Sequence, residues 1–200
     1  MLNKVVDYSE RLFLVLLSAT FLHAILIHAT DHPYLLLLAV SETLPVLLII
    51  IRRPGEMVMK PYPWILALVG TAAPLLVRPT AGGFGLLSDG AIAFFMLVGV
   101  SFNIAAKISL WRSFGLAPAN RGVRAGGPYR LIRHPMYLGY FLTQFGFLLA
   151  NLSAGNVIKY LITWTVQLLR IREEEKFLLS DEQYRELAKR VRFRVVPGVY

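Results

Sequence analysis

The sequence predicts an all-α integral membrane protein with about six transmembrane helices and a short helical cytoplasmic tail. Three observations predict it. Of the 200 residues, 56% are hydrophobic and 16% charged, against about 25% charged in an average soluble domain. The apolar residues are gathered in blocks rather than spread at an amphipathic period. A bilayer favours such blocks, because every backbone group there must be satisfied inside a helix. Lys and Arg fall almost wholly on the connections that one side of the resulting topology would carry.

The first apolar run is Leu12 to Ile27. Met1 to Arg11 before it mixes Asp7 and Glu10 with Lys4 and Arg11, and no small-residue cleavage site follows. The run is therefore expected to stay as a helix rather than be removed as a leader. The second run, Tyr34 to Ile51, ends at Arg52-Arg53-Pro54-Gly55. The third, Trp64 to Val77, is closed by Arg78-Pro79, and the fourth covers Leu86 to Leu110. The fifth is Met136 to Ala150 and the sixth Val157 to Leu169. A bilayer core takes roughly 20 helical residues, which the third, fifth and sixth reach only with their polar flanks.

Only Asn151 to Asn156 separates the last two runs, and so short a turn joins antiparallel neighbours. They are expected to form a helical hairpin. Its open end brings Arg130, Arg133 and His134 against Arg170 to Glu175. With both termini cytoplasmic, as in a bacterial inner-membrane protein, 19 of the 21 Lys and Arg lie on the inner side, leaving Arg78 and Lys159.

Some function classes drop out at once. The chain has no cysteine, which excludes a disulfide framework, a thiolate zinc site and a cysteine nucleophile. The net charge of +9 would suggest nucleic acid for a soluble protein. The membrane topology accounts for it here, and no basic stripe with interleaved aromatics stands apart, so no nucleic-acid partner is expected. No metal is expected either: His28, Asp31 and His32 share an outer loop but lack a fourth ligand. Glu42 within the second run is a carboxyl in an apolar setting, either functional or bonded to a neighbouring helix. Asn103 and Lys107 on the fourth run either face the inner cavity or, for Lys107, snorkel to the interface.

The stretch Ser113 to Tyr140 is polar and punctuated by Gly and Pro. Gly126-Gly127-Pro128-Tyr129 reads as a turn. Pro135 suits the first turn of the fifth helix, where its missing N–H costs nothing, so His134 sits at the helix entrance beside free N–H groups that favour an anion. A second motif, Arg170-Ile171-Arg172-Glu173-Glu174-Glu175, continues the sixth helix out of the membrane. Glu174 falls one turn above Arg170 on the same face, and Glu175 about 100° further round. Two readings stand side by side for each motif. One is an interfacial connector with a solvated, ion-paired helix end; the other is a binding site assembled where the two motifs meet.

The ordered set Gly127-Pro128-Tyr129, Arg133-His134-Pro135-Met136-Tyr137 and Arg170 followed by Glu174-Glu175 resembles the isoprenylcysteine carboxyl methyltransferase family. Tyr184 and Arg194-Val195-Val196-Pro197 are similar to that family's closing pattern, and membrane phospholipid methyltransferases share a related RHPxY-type region. The resemblance covers roughly Leu110 to the C-terminus. It implies S-adenosyl-L-methionine as cofactor and a lipidic methyl acceptor among membrane lipids: a prenylated cysteine carboxylate or, alternatively, the amine of an ethanolamine phospholipid. It implies Gly127, Tyr129, His134, Pro135, Met136 and Tyr137 for the cofactor, with Leu142, two turns beyond His134, walling the adenine. Arg170, Glu174 and Glu175 are implied on the acceptor side. Residues 1–110 then make four N-terminal transmembrane helices, and residues 111–200 the catalytic region. A nicotinamide-dependent membrane reductase and a non-enzymatic transporter are the rival readings. Against the first, no GxGxxG follows a strand; the second would want discontinuous helices in both halves.

Overall fold

Every apolar run folds as a helix in the computed structural model, which describes residues 2–28, 35–78, 88–116 and 118–199. α1 is Leu2–His28 and α2 is Leu35–Ile51. α3 is Pro61–Ala72, with proline in a first turn that has no N–H partners to lose. Pro74 removes a donor, and the chain tightens into a 3-10 turn over Ala73–Leu76. α4 is Asp89–Leu110, capped by Ser88, whose Oγ accepts from Ala91 N at 3.3 Å. α5 is Pro135–Ala150. α6, Ala154–Leu178, is capped by Ser153, and α7, Glu182–Arg190, by Asp181. The β structure among the described residues is one two-residue antiparallel ladder, β1 Glu56–Met57 against β2 Ala119–Asn120.

The turn after Ala150 joins α5 and α6 as antiparallel neighbours, but α5 packs most intimately on α4. Glycines decide this. A Cβ added at Gly139 would stand 2.6 Å from Asn103 Cβ, and one at Gly99 2.5 Å from Thr143 N. A Cβ at Gly146 would meet Met96 Cγ at 2.8 Å. The two backbones approach as only small residues allow. Across to α6 the links are long side chains: Trp164 Nε1 donates to Gln144 Oε1 at 2.9 Å, and Phe141 lies 5.0 Å from the Trp164 ring. α6 meets α3 where Gly70 leaves room for Arg170: a Cβ added there would stand 2.9 Å from Arg170 Cδ. The main apolar core joins α4, α5 and α6 through Ile92, Met96, Phe147, Leu148 and Tyr160.

By length and composition one helical stretch among the described residues, Gly90–Ser113, is long and apolar enough to cross a membrane. α2, α3 and α5 have 17, 12 and 16 residues, short of the roughly 20 a bilayer core takes. The two ends of the bundle differ in charge. At one, Arg52 donates to Asp7 and Glu10, Arg112 Nε donates to Ile51 O at 3.0 Å, and Arg53 N to Arg112 O at 2.7 Å. At the other, Asn156 Nδ2 donates to the carbonyls of Arg78 and Asn151 at 2.9 and 2.8 Å. Lys107 does not snorkel: it is completely buried, its Nζ 5.0 Å from the centre of the Tyr140 ring. The side chains of His28 and Glu42, and all of Asp31 and His32, lie outside the described residues. Among the described residues no His, Asp and Glu cluster could hold a metal ion.

Candidate functional site

The polar connector is shaped by its turns. Gly127 opens a 3-10 turn over Gly127–Arg130 at φ 56°, a left-handed conformation that L side chains rarely adopt. A Cβ there would also strike Ser109 Oγ at 2.4 Å. The turn buries Tyr129, whose phenol is held in its protonated form by burial and, next, by the charge of Glu174. Two residues of the C-terminal tail then grip the connector from below: Arg133 N donates to Phe193 O at 3.0 Å and His134 N to Arg194 O at 2.7 Å. His134 is thereby fixed as the N-cap of α5, with Pro135 buried in the first helical position. Met136 O accepts from Asn103 Nδ2 at 2.9 Å, which ties the same turn to α4.

Glu175, on α6, is the hub of a buried ion cluster. Its Oε1 accepts from His134 Nε2 at 3.1 Å and from Tyr184 Oη at 3.2 Å, and its Oε2 from Arg194 Nε at 2.7 Å. Arg133 Nε stands 3.0 Å from Oε1 as an ion pair, although its N–H is not aimed for a hydrogen bond. Burial alone would raise the carboxyl, but the hydrogen bonds from His134 and Arg194 and the nearby positive charge outweigh it and hold the group at about 2. The cluster therefore welds four elements together: the connector, α6, α7 and the tail.

Glu174 turns the other way. Its Oε1 accepts from Tyr137 Oη at 2.6 Å and lies 4.0 Å from Arg170 Nη2, while Oε2 is 3.7 Å from His134 Nδ1. Arg170 is buried, donates from Nη2 to Leu116 O at 2.9 Å, and sits 5.6 Å over the Tyr137 ring. Its Nε has no acceptor among the described residues.

Two cavities meet at this point. A polar cleft, about 840 Å³ with the space it opens to solvent, is lined by Tyr129, His134, Tyr137 and Glu174 from the two sequence motifs, and by Arg121 and Arg124 from the connector. An apolar cavity of about 530 Å³ is walled by Leu14, Leu17, Phe21, Pro45 and Leu75, with Arg170 at its polar end. Met136 and Gly115 line both.

The structure thus gathers Tyr129, His134, Met136, Tyr137 and Glu174 around one cleft and puts Arg170 in the wall of the next. Gly127 and Pro135 act through the backbone and line neither cavity, Leu142 lines neither, and Glu175 is turned away from both. Sequence reading passed over Arg121, Arg124, Ser113 and Asn120 of the cleft wall. It also passed over the trio of half-buried Asp7 with buried Glu10 and Arg52 beside it. The two arginines carried a signal, since they punctuate the polar connector; Arg52 lies 45 and 42 residues from Asp7 and Glu10, and the trio carried none.

A family model described as phospholipid methyltransferase matches residues 87–186, half of the chain. No curated protein matches the sequence.

Proposed function

This chain belongs to the phospholipid methyltransferase family, and from that premise we propose that it methylates the carboxylate of an isoprenylcysteine-like lipid. The family is membrane-integral and takes its methyl group from S-adenosylmethionine. The polar cleft suits that cofactor. Tyr129 and Tyr137 offer aromatic surface to a base, Glu174 offers a carboxylate to a cationic centre, and buried guanidinium groups without acceptors offer donors to a carboxylate. His134 and Met136 complete the wall. When bound, the cofactor supplies an electrophilic methyl group on a sulfonium.

Arg170 carries the choice of acceptor. A fixed guanidinium with an uncommitted N–H stands at the polar end of an apolar cavity, which is what an acceptor with a lipid tail and an anionic head requires. A carboxylate is already ionised at neutral pH and needs no general base. It does need orientation, to within about 3–3.5 Å of the methyl carbon. Leu116 O and the Tyr137 ring hold the guanidinium in place from two sides. Glu174, tied to Tyr137, adds charge from 4.0 Å. The tail would lie among Leu14, Leu17 and Phe21. The shared walls at Met136 and Gly115 supply the place where acceptor and donor meet. We take α1 to α6 to span the bilayer with this end cytoplasmic. Reporter fusions after Asn151 and after Tyr200 should then fall on opposite sides, and finding both on one side would remove that topology.

The family description favours a second reading, methylation of an ethanolamine lipid at nitrogen. Glu174 would then accept the amine proton, with Arg170 its counter-ion. Turnover of a prenylcysteine analogue and of an ethanolamine lipid by the wild type, Arg170→Lys and Glu174→Gln separates the two. The carboxylate reading expects Arg170→Lys to lose about 100-fold, as when one oriented donor to a reacting oxyanion is removed, with Glu174→Gln milder. The amine reading expects the reverse order. Wild-type rates for Arg170→Lys on the prenylcysteine analogue would overturn the carboxylate reading.

A further inference from the structure

Arg121 stands in the cleft wall outside the sequence motifs that line it. It is 6% exposed, lines the polar cleft, and sits in a slot made by two glycines. A Cβ at Gly55 would fall 2.6 Å from its Cγ, and a Cβ at Gly115 would fall 2.3 Å from its Nη1. Glycine thus leaves space for the stem of this side chain at Gly55 and for its guanidinium at Gly115. Yet its Nε and Nη2 find no hydrogen-bond acceptor among the described residues.

The nearest acids are turned to other donors. Asp7 Oδ2 is taken by Arg11 Nε at 2.8 Å and Oδ1 by Arg52. Glu10 Oε2 is taken by Arg52 Nη2 at 2.8 Å and Oε1 by Leu116 N at 2.7 Å. Arg11, Arg52 and Arg121 therefore share two carboxylates, and Arg121 holds the excess positive charge. Burial, followed by the charge of Arg52, lowers its guanidinium to about 10. A buried cation without a partner is costly. A planar fork held flat against a cleft wall is the arrangement that recognises an oxyanion.

We propose that Arg121 is the anion-binding residue of the polar cleft, receiving an oxyanion of a bound ligand. Two sources share that chemistry: the carboxylate of the cofactor's amino-acid part, and the phosphodiester of a lipid headgroup. Gly115, against which the guanidinium lies, lines both cavities, so either ligand can present its anion there. The proposal rests on the methyltransferase reading.

The test is calorimetric and needs no turnover. The full-length chain in detergent is titrated with S-adenosylhomocysteine and with 5′-methylthioadenosine, which lacks the amino-acid part. In parallel, stabilisation against heat is read with a short-chain diacylphosphoethanolamine and with the diacylglycerol of equal chain length. If the cofactor supplies the anion, Arg121→Gln weakens S-adenosylhomocysteine by tenfold or more and methylthioadenosine by less than twofold. If the headgroup supplies it, both nucleosides bind as before, and the phosphoethanolamine loses its stabilising effect while the diacylglycerol keeps its own. Equal weakening of both nucleosides, or no change in any ligand, would overturn the proposal. Should Arg121→Gln fail to fold, Arg121→Lys keeps the charge without the fork. It should show the same ligand selectivity at a severalfold smaller effect, and wild-type behaviour from it overturns the proposal too. Failure of the wild type to bind S-adenosylhomocysteine at all would strike the methyltransferase reading instead, leaving the lipid arm to judge Arg121.

Discussion

Two buried charge clusters lie at the same end of the helix bundle and are satisfied in opposite ways. Around Glu175 a single carboxylate is saturated: three hydrogen bonds and one further ion pair converge on its two oxygens. Around Arg52 the carboxylates of Asp7 and Glu10 are turned to Arg11, Arg52 and Leu116 N, and two nitrogens of Arg121 are left without an acceptor. The first cluster ties connector, helix and tail into one body: Arg133, His134 and Tyr184 reach the cleft wall, but the carboxylate at its centre lines neither cavity. The second keeps unmet donors in the wall of a cleft. A saturated buried cluster builds the site; an unsaturated one is available to bind. Perturbing the first should therefore cost stability, and perturbing the second should cost affinity.

The largest effect is expected from Glu175→Gln. It removes the negative charge that Arg133, His134 and Arg194 share, without changing the shape of the side chain. Breaking a buried pair from one side costs about 3–5 kcal/mol, read as thermal or denaturant unfolding in detergent. The loss should depend on pH. The carboxyl sits at about 2 in the folded chain, below the ordinary value of about 4.3. Its contribution is thus full above about pH 5 and disappears as the pH falls through about 2. Wild type and Glu175→Gln should converge in acid. A constant gap from pH 7 down to pH 3 would show that the amide's donor set against neighbouring donors, not the lost charge, does the work.

A second change lies outside both clusters and isolates the steric part of the fold. Gly139→Ala puts a methyl group 2.6 Å from Asn103 Cβ, against backbone that cannot yield. Overpacking of this kind costs about 1–3 kcal/mol. Because no ionisable group is altered, that loss should be the same at every pH where the loss for Glu175→Gln is fading. If it follows the same acid dependence, the helix seam and the ion cluster are not independent.

These two positions also show what was legible in the sequence. The six apolar runs gave six helices, because hydrophobic blocks and their Pro, Ser and Asp punctuation are local signals. The meeting of His134 with Glu174 and Glu175 was legible as well, since a six-residue turn fixes which helix ends face each other. The partner of α5 was not. A short loop sets an antiparallel order but not a distance, and the distance is set by Gly99, Gly139 and Gly146 against α4. Gly139 and Gly146 stand two turns apart on one face, a spacing that points to such a seam. The division of labour between Glu174 and Glu175 was legible only in part. Their 100° offset separates them, but the tail residue Arg194 that claims Glu175 arrives from 19 residues away. Nothing local marked the trio of Asp7, Glu10 and Arg52, or the donors they leave without an acceptor.

His134 belongs to both kinds of environment and should register in both measurements. Its Nε2 pairs with Glu175, while its ring lines the polar cleft. His134→Ala is expected to weaken S-adenosylhomocysteine about tenfold, or about 1.4 kcal/mol for one hydrogen bond to a charged group. It should lower thermal stability at the same time. An affinity loss without a stability loss would place the residue with the cleft alone, and the reverse would place it with the cluster alone.

The smallest effect should come from Tyr184→Phe, and it asks how separable the two functions are. Tyr184 lines the cleft with its ring and donates its hydroxyl to Glu175 Oε1 at 3.2 Å. Burial, and then the negative charge of Glu175, keep the phenol protonated far above neutral pH, so it acts only as a donor. Removing that hydroxyl leaves Glu175 with His134, Arg194 and Arg133, and the ring that packs on Leu187 and Val191 is unchanged. The cost to stability should be about 1 kcal/mol, the usual net worth of one intramolecular hydrogen bond. Affinity for S-adenosylhomocysteine should stay within twofold, because the cleft loses no surface and no charge. The measurement is a paired one on the same preparation, an unfolding curve and a calorimetric titration. A tenfold loss of affinity with unchanged stability would mean that the hydroxyl turns toward the ligand when the cleft is filled. Glu175 would then answer to the bound state, and the line between a cluster that builds and a cluster that binds would have to be drawn elsewhere.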